Sequence, residues 1–250
     1  KLNSASGDNV TFDATVNSDK TVITINPTSN LPNSQAVYVS LGATVEDSTD
    51  NVITAANATF ITVMGATIYV NSSSGDDNSG DGSSGSPYKT FHKGYTEASS
   101  DDIIDLTGTF TWTDAAESGD VAGSGYSIAK NLTIQGQGAN VTIVQANAAE
   151  NTADRRIFTV PVANTVTFSN ITVRYGKVGS NADGGGIQVS GTSTIDKCDI
   201  SYNRAPDGGG GGVDVTGSLT VQNSAIHNNV AHYMGGGLNR NYSSGSGGAP

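Results

Sequence analysis

The 250 residues carry 12 Lys and Arg against 23 Asp and Glu, a formal charge of −11 at pH 7, with no basic cluster dense enough to hold a phosphate backbone, so nucleic acid is excluded as a partner. One cysteine, Cys198, rules out an internal disulfide and a Cys-based metal site. With 32 Gly and only 14% charged residues, the polarity comes from Gly, Ser, Thr, Asn and Asp, which favour turns and strands over long helices.

Along the first 63 residues four segments alternate at period two: Val10–Val16, Thr21–Ile25, Ala36–Leu41 and Ala58–Val63. Each is rich in β-branched or aromatic residues and bounded by Asn, Pro and Ser turn signals, which predicts a small antiparallel sandwich. The run Thr21 to Pro27, then Leu31-Pro-Asn-Ser, then Tyr38 to Asp47, resembles the Ig-like domain family first named from bacterial surface-layer proteins. That resemblance implies a spacer or presenting module over residues 1–64 of an extracellular protein. The apolar stretch from Val52 to Val70 is interrupted by Thr54, Asn57, Thr59, Thr62 and Gly65, so it predicts two strands with a junction and no membrane span.

From Ile68 the pattern changes to a Tyr-Val strand, a Gly/Ser/Asp loop from Ser73 to Ser86, and Pro87-Tyr-Lys-Thr-Phe91 leading into a short helix that reaches towards Ala98. This order resembles the opening of many bacterial β-helix proteins, in which a helix caps the first coil over about residues 66–100. A cap has a physical reason, because an uncovered first coil exposes unpaired backbone groups and an apolar end. Within the loop, Asp77, Ser79 and Asp81 alternate ahead of Gly82 and are candidate oxygen ligands for calcium. Tyr88 stands where a calcium loop places its bidentate Glu, so a solvated turn is the competing reading.

An internal repeat follows. Thr167-Phe-Ser-Asn-Ile-Thr-Val173, Thr194-Ile-Asp-Lys-Cys-Asp-Ile200 and Thr220-Val-Gln-Asn-Ser-Ala-Ile226 start 27 and then 26 positions apart, and Gly-Gly-Gly-Ile187, Gly-Gly-Gly-Val213 and Gly-Gly-Gly-Leu238 follow them in step. A weaker copy runs from Leu132 through Val144. One turn of a parallel β-helix has this length, and a leucine-rich repeat would need a recurring Leu that is missing. The fold class is therefore all-β: an Ig-like sandwich followed, over residues 66–250, by a right-handed parallel β-helix. Phe168, Ile195 and Val221 are expected to stack inside, as are Val173, Ile200 and Ile226, and Ile171, Cys198 and Ser224. The glycine triplets belong at corners, and Asn203 and Asn229 are placed for an internal amide ladder.

The pairing of the triplets with Ile200-Ser-Tyr-Asn203 and Ile226-His-Asn-Asn229 is similar to the repeats of polymorphic outer-membrane autotransporter adhesins, with Ile where those repeats carry Phe. That implies a non-enzymatic, adhesive or structural module at a bacterial cell surface, partnered by other surface subunits or by the rest of a larger chain. Lys1 and the run Ser243–Pro250 read as neither a natural start nor a natural end, so a longer parent protein is expected.

Parallel β-helices also host polysaccharide lyases and hydrolases, so the alternative function is a polysaccharide-binding or polysaccharide-cleaving β-helix, with Asp196, Lys197, Asp199, Asp214 and Arg204 as the candidate groups for cleavage. In the expected register Asp196 meets Ser169 and Gln222, and Asp199 meets Thr172 and Ala225, so no carboxylate cluster is assembled and no catalytic residue is assigned. His227 and His232 read as surface histidines. Tyr126, Tyr175, Tyr202, Tyr233 and Trp112 are candidates for a glycan-stacking surface, although Tyr175 and Tyr202, one repeat apart, can equally stack on each other. No cofactor other than calcium is implied.

Overall fold

The computed structural model describes residues 65–117, 125–152 and 154–240 throughout and, before them, residues 9, 11–16, 18, 23–27, 36–41 and 56–61. The chain divides into two compact units at Met64/Gly65. In the first, β1 (Phe12–Val16) pairs antiparallel with β2 (Ile23–Pro27), and β3 (Ala36–Leu41) with β4 (Ala56–Ile61). All four expected strands are present. The Leu31–Ser34 turn and most of the Tyr38–Asp47 segment, on which the Ig-like resemblance rests, lie outside the described residues.

The second unit is a parallel β-solenoid of about 5 turns over residues 103–240. It opens with β5 (Thr67–Asn71) and the helix α1 (Phe91–Glu97). Coil one holds β6 (Ile103–Thr107), β7 (Thr109–Thr111) and β8 (Tyr126–Ser127); coil two holds β9 (Leu132–Gly136), β10 (Ile143–Gln145) and β11 (Phe158–Val160). Coil three holds β12 (Thr165–Ser169), β13 (Thr172–Arg174) and β14 (Ile187–Val189). Coils four and five gain a fourth short strand: β15 (Thr192–Asp196), β16 (Asp199–Ser201), β17 (Arg204–Ala205) and β18 (Val213–Val215), then β19 (Ser218–Gln222), β20 (Ala225–His227), β21 (Val230–Ala231) and β22 (Leu238–Arg240). Equivalent strands form three long parallel sheets, ordered β5-β6-β9-β12-β15-β19, β7-β10-β13-β16-β20 and β8-β11-β14-β18-β22.

Alternation along each strand sends one set of side chains inward, and parallel register stacks like positions on one another. Ile68, Ile104, Ile134, Phe168, Ile195 and Val221 form one such line across the first sheet. Phe110, Val144, Val173, Ile200 and Ile226 form another across the second. The expected registers hold at every position. Burial departs from expectation only in coil five, where Val221 is 37% exposed although Ile195 beside it is fully buried. The reason is stacking: no further coil covers β19 among the described residues.

At the helical end the core is aromatic. Phe91 packs edge-on against Tyr126 at 4.8 Å and Phe158 at 5.7 Å, and Phe158 lies 5.0 Å from Phe168. Thr90 caps α1 by accepting from Lys93 N at 3.0 Å, and the Lys130 ammonium closes its other end on the carbonyls of Tyr95 and Ala98 at 2.7 and 2.6 Å. The helix thus covers the first coil, as a solenoid end requires.

Three columns of left-handed residues turn the chain between faces. Asn170, Lys197 and Asn223 (φ 55, 53 and 50) bend it between the first and second sheets, and Gly184, Gly210 and Gly235 (φ 71, 62 and 49) lead into the third. Glycine is required in the latter column, because a Cβ on Gly210 would stand 2.6 Å from the Val213 carbonyl oxygen. Tyr175, Tyr202 and Asn228 (φ 63, 57 and 54) make the third column.

Candidate functional site

The Asp-rich loop places its carboxylates on internal donors. Asp77 Oδ1 accepts Lys89 N at 2.7 Å and Thr90 N at 3.0 Å, and its Oδ2 accepts the Thr90 hydroxyl at 2.7 Å. The Ser79 hydroxyl donates to Asp76 Oδ2 at 2.8 Å, and Asp81 Oδ1 accepts Ser83 N at 2.9 Å. Hydrogen bonds, from Asn78 N to Asp76 above all and from Ser83 to Asp81, hold both exposed carboxyls below the usual range. Asp77, Ser79 and Asp81 therefore point to three different partners, and no group of three or more His, Cys, Asp or Glu side chains suited to a metal occurs among the described residues. Added calcium, after treatment with a chelator, is expected to leave the melting temperature of the chain unchanged; a rise in the calcium-loaded sample would show that the loop binds the ion.

A cavity of about 400 Å³ lies beside this loop, lined by Ser72, Lys89, Thr90, Thr109, Asp114 and Glu117 among others. Glu117 is buried, and its two oxygens accept Phe91 N at 2.8 Å and His92 N at 3.1 Å, the first amides of the cap helix. Burial pushes its carboxyl up to about 7, with Asp77 and Asp114 adding to the rise, while the two amide bonds oppose it. The folded value lies above the ordinary 4.5, so protonation favours the folded state. The associated stability is fully present below about 4.5 and is lost as pH rises through about 7. Hydrogen exchange at the Phe91 and His92 amides, corrected for intrinsic rates, is expected to accelerate from pH 5 to pH 8, and Glu117→Gln to remove the dependence.

The third place is a strip along the second sheet, over coils three to five. Arg174 Nε donates to Gln145 Oε1 at 2.9 Å, and buried Gln145 in turn donates to the Thr111 hydroxyl at 3.1 Å. The Arg174 guanidinium lies over the Tyr175 ring at 4.7 Å. Tyr175 meets Tyr202 at 6.2 Å and 60°, and Tyr202 meets His227 at 6.2 Å and 78°. His227 Nε2 stands 2.9 Å from Asp199 Oδ2, whereas Asp199 Oδ1 is buried and has no hydrogen-bond partner. Tyr202 is 43% exposed.

Of the residues singled out in the sequence, the structure joins Tyr175, Tyr202, His227 and Asp199 in this strip. It sends the others elsewhere. Tyr126 and Trp112 are buried in the aromatic core, and the Trp112 indole donates to the Ile157 carbonyl at 3.0 Å. Tyr233 pairs with His232 at 4.5 Å. Asp196 faces Ser169 and Gln222 in register, and Asp199 faces Thr172 and Ala225, so neither column brings a second carboxylate alongside. Asp214 is buried and accepts from Asn239 at 2.8 Å. Cys198 is buried, and desolvation pushes its thiol up to about 11, away from thiolate chemistry. Sequence reading missed Glu117, which stands in an irregular loop with no copy in other repeats, and Arg174, whose only signal is its place directly before Tyr175.

The fold and the strip together define a β-solenoid with a polar and aromatic outer stripe. No family model, curated protein or solved structure matches the chain.

Proposed function

We propose that this chain is a non-enzymatic, structural and adhesive module of a large secreted bacterial surface protein, with the solenoid as its stiff shaft and other surface subunits or the rest of the parent chain as partners. The supporting observation is the unbroken parallel register of three sheets over successive coils, which spreads hydrogen bonding and core contact evenly along one axis. Crossovers of this parallel kind run right-handed in nearly all known folds, and the same hand is proposed here. The first 64 residues fit the role of an Ig-like spacer. No helix among the described residues is long and apolar enough to cross a membrane.

A polysaccharide-cleaving β-helix is the competing reading, and the in-register neighbours of Asp196 and Asp199 weigh against it. The deciding experiment incubates the chain with soluble polysaccharides, with and without calcium, and follows chain length. Unchanged length supports a structural and adhesive module; shortening that disappears in Asp199→Asn would make it an enzyme.

A further inference from the structure

The geometry points to the Arg174–Tyr175–Tyr202–His227 strip as a binding site for a neutral polysaccharide, a deepening of the adhesive reading on which it rests. The first ground is strain. Bulky residues rarely occupy the left-handed region, which suits Asn and Gly, yet this corner carries Tyr twice running, at φ 63 and 57. Coil five shows the relaxed choice at the same position, Asn228 at φ 54. Nothing in the core requires Tyr202, which is 43% exposed. Strain kept where packing does not ask for it is a mark of function.

The second ground is chemistry. Two aromatic rings on neighbouring coils offer apolar faces and hydroxyls, and sugar rings have C–H faces to lay against them. Beside them stands a donor fork, Arg174, held at its Nε by Gln145 at 2.9 Å, while the Asp199 carboxylate, one oxygen of it buried, fixes the His227 ring from below. His227, 2.9 Å from Asp199, supplies a ring nitrogen that donates or accepts. Sugar hydroxyls both donate and accept, so a mixed set suits them, while an anionic chain would meet Asp199 locally and the −11 charge of the whole protein at longer range. Three coils at about 4.8 Å each give a strip roughly 10 Å long, and the ligand lies across the coils.

Affinity electrophoresis of the full chain tests this, in gels containing hydroxyethylcellulose, mixed-linkage β-glucan, xylan or galactomannan, with polygalacturonate as the acidic comparison. At least one neutral polymer is expected to retard the chain, and Tyr202→Asn and Arg174→Ala to weaken that retardation about tenfold or more. Tyr202→Asn relieves the left-handed strain, so it is expected to melt no lower than the parent, which separates lost binding from lost folding. Retardation by none of the neutral polymers, by polygalacturonate alone, or to the same extent in Tyr202→Asn would overturn the assignment. None of these outcomes bears on the shaft reading, which fails instead on chain shortening.

Discussion

Phe168→Ala is expected to cost about 3–5 kcal/mol, because it removes a fully buried ring from the middle of the longest core line. Phe168 lies between Ile134 and Ile195 on neighbouring coils and touches Phe158 at 5.0 Å, so the gap opens at the seam between the aromatic and aliphatic parts of the core. Each coil of a solenoid contacts only its neighbours, and a weakened layer divides the stack. Urea unfolding of the variant should shift to lower midpoint and lose its single transition, with coils four and five melting apart from the capped end. The control is Val221→Ala in the same line, where 37% exposure predicts a loss below about 1 kcal/mol. Equal losses at the two positions would mean that the line is not a graded core.

Asn203→Ala is the second large effect, expected near 3 kcal/mol. The buried Asn203 amide accepts Gly176 N at 2.8 Å, and its Nδ2 lies 3.0 Å from the carbonyls of Val173 and Ser201 and from Asn229 Oδ1. Truncation strands buried donors and acceptors on two coils, each costing about 1–3 kcal/mol. Asn203→Asp is the sharper variant, since a carboxylate would face those carbonyl oxygens where the amide donates. A protonated Asp keeps one donor, so its folded-state titration should rise above the ordinary value, and the variant should be more stable at low pH and weaken as pH increases. Thermal melts of Asn203→Asp between pH 4 and pH 8 check the direction. A pH-independent deficit would show that the ladder does not depend on the amide donor.

These two residues show why the solenoid was legible in the sequence. A repeat of 27 and then 26 positions in the apolar strands, matched within one residue by glycine triplets 26 and then 25 apart, fixes register by itself, and register then decides which side chains stack. Phe168 against Ile195 and Asn203 against Asn229 follow directly from that spacing. The helix that starts at Phe91 was legible from the Pro87-Tyr-Lys-Thr run before it, whereas the Thr90 cap came with the structure. What the repeat does not carry was harder to see. Glu117 reaches the helix amides from the connection between β7 and β8, whose length and sequence are not repeated in the next coils, so no periodic signal marks it. In the Asp-rich loop the sequence gives residue types but not directions, and the hydrogen bonds of Asp77 to Lys89 and Thr90 and of Asp81 to Ser83 come from the structure alone. Tyr175 and Tyr202 were visible as a pair, whereas their left-handed backbone was not, because that property belongs to the corner and not to the residue type.

The most direct measurement of the proposed role is immunogold electron microscopy of source cells with antibodies raised against the solenoid, comparing intact with permeabilised cells. Gold on the outside of intact cells, on the envelope or its appendages and at undiminished density without permeabilisation, is the result predicted for a surface shaft. Gold confined to the interior, and appearing only after permeabilisation, would contradict it.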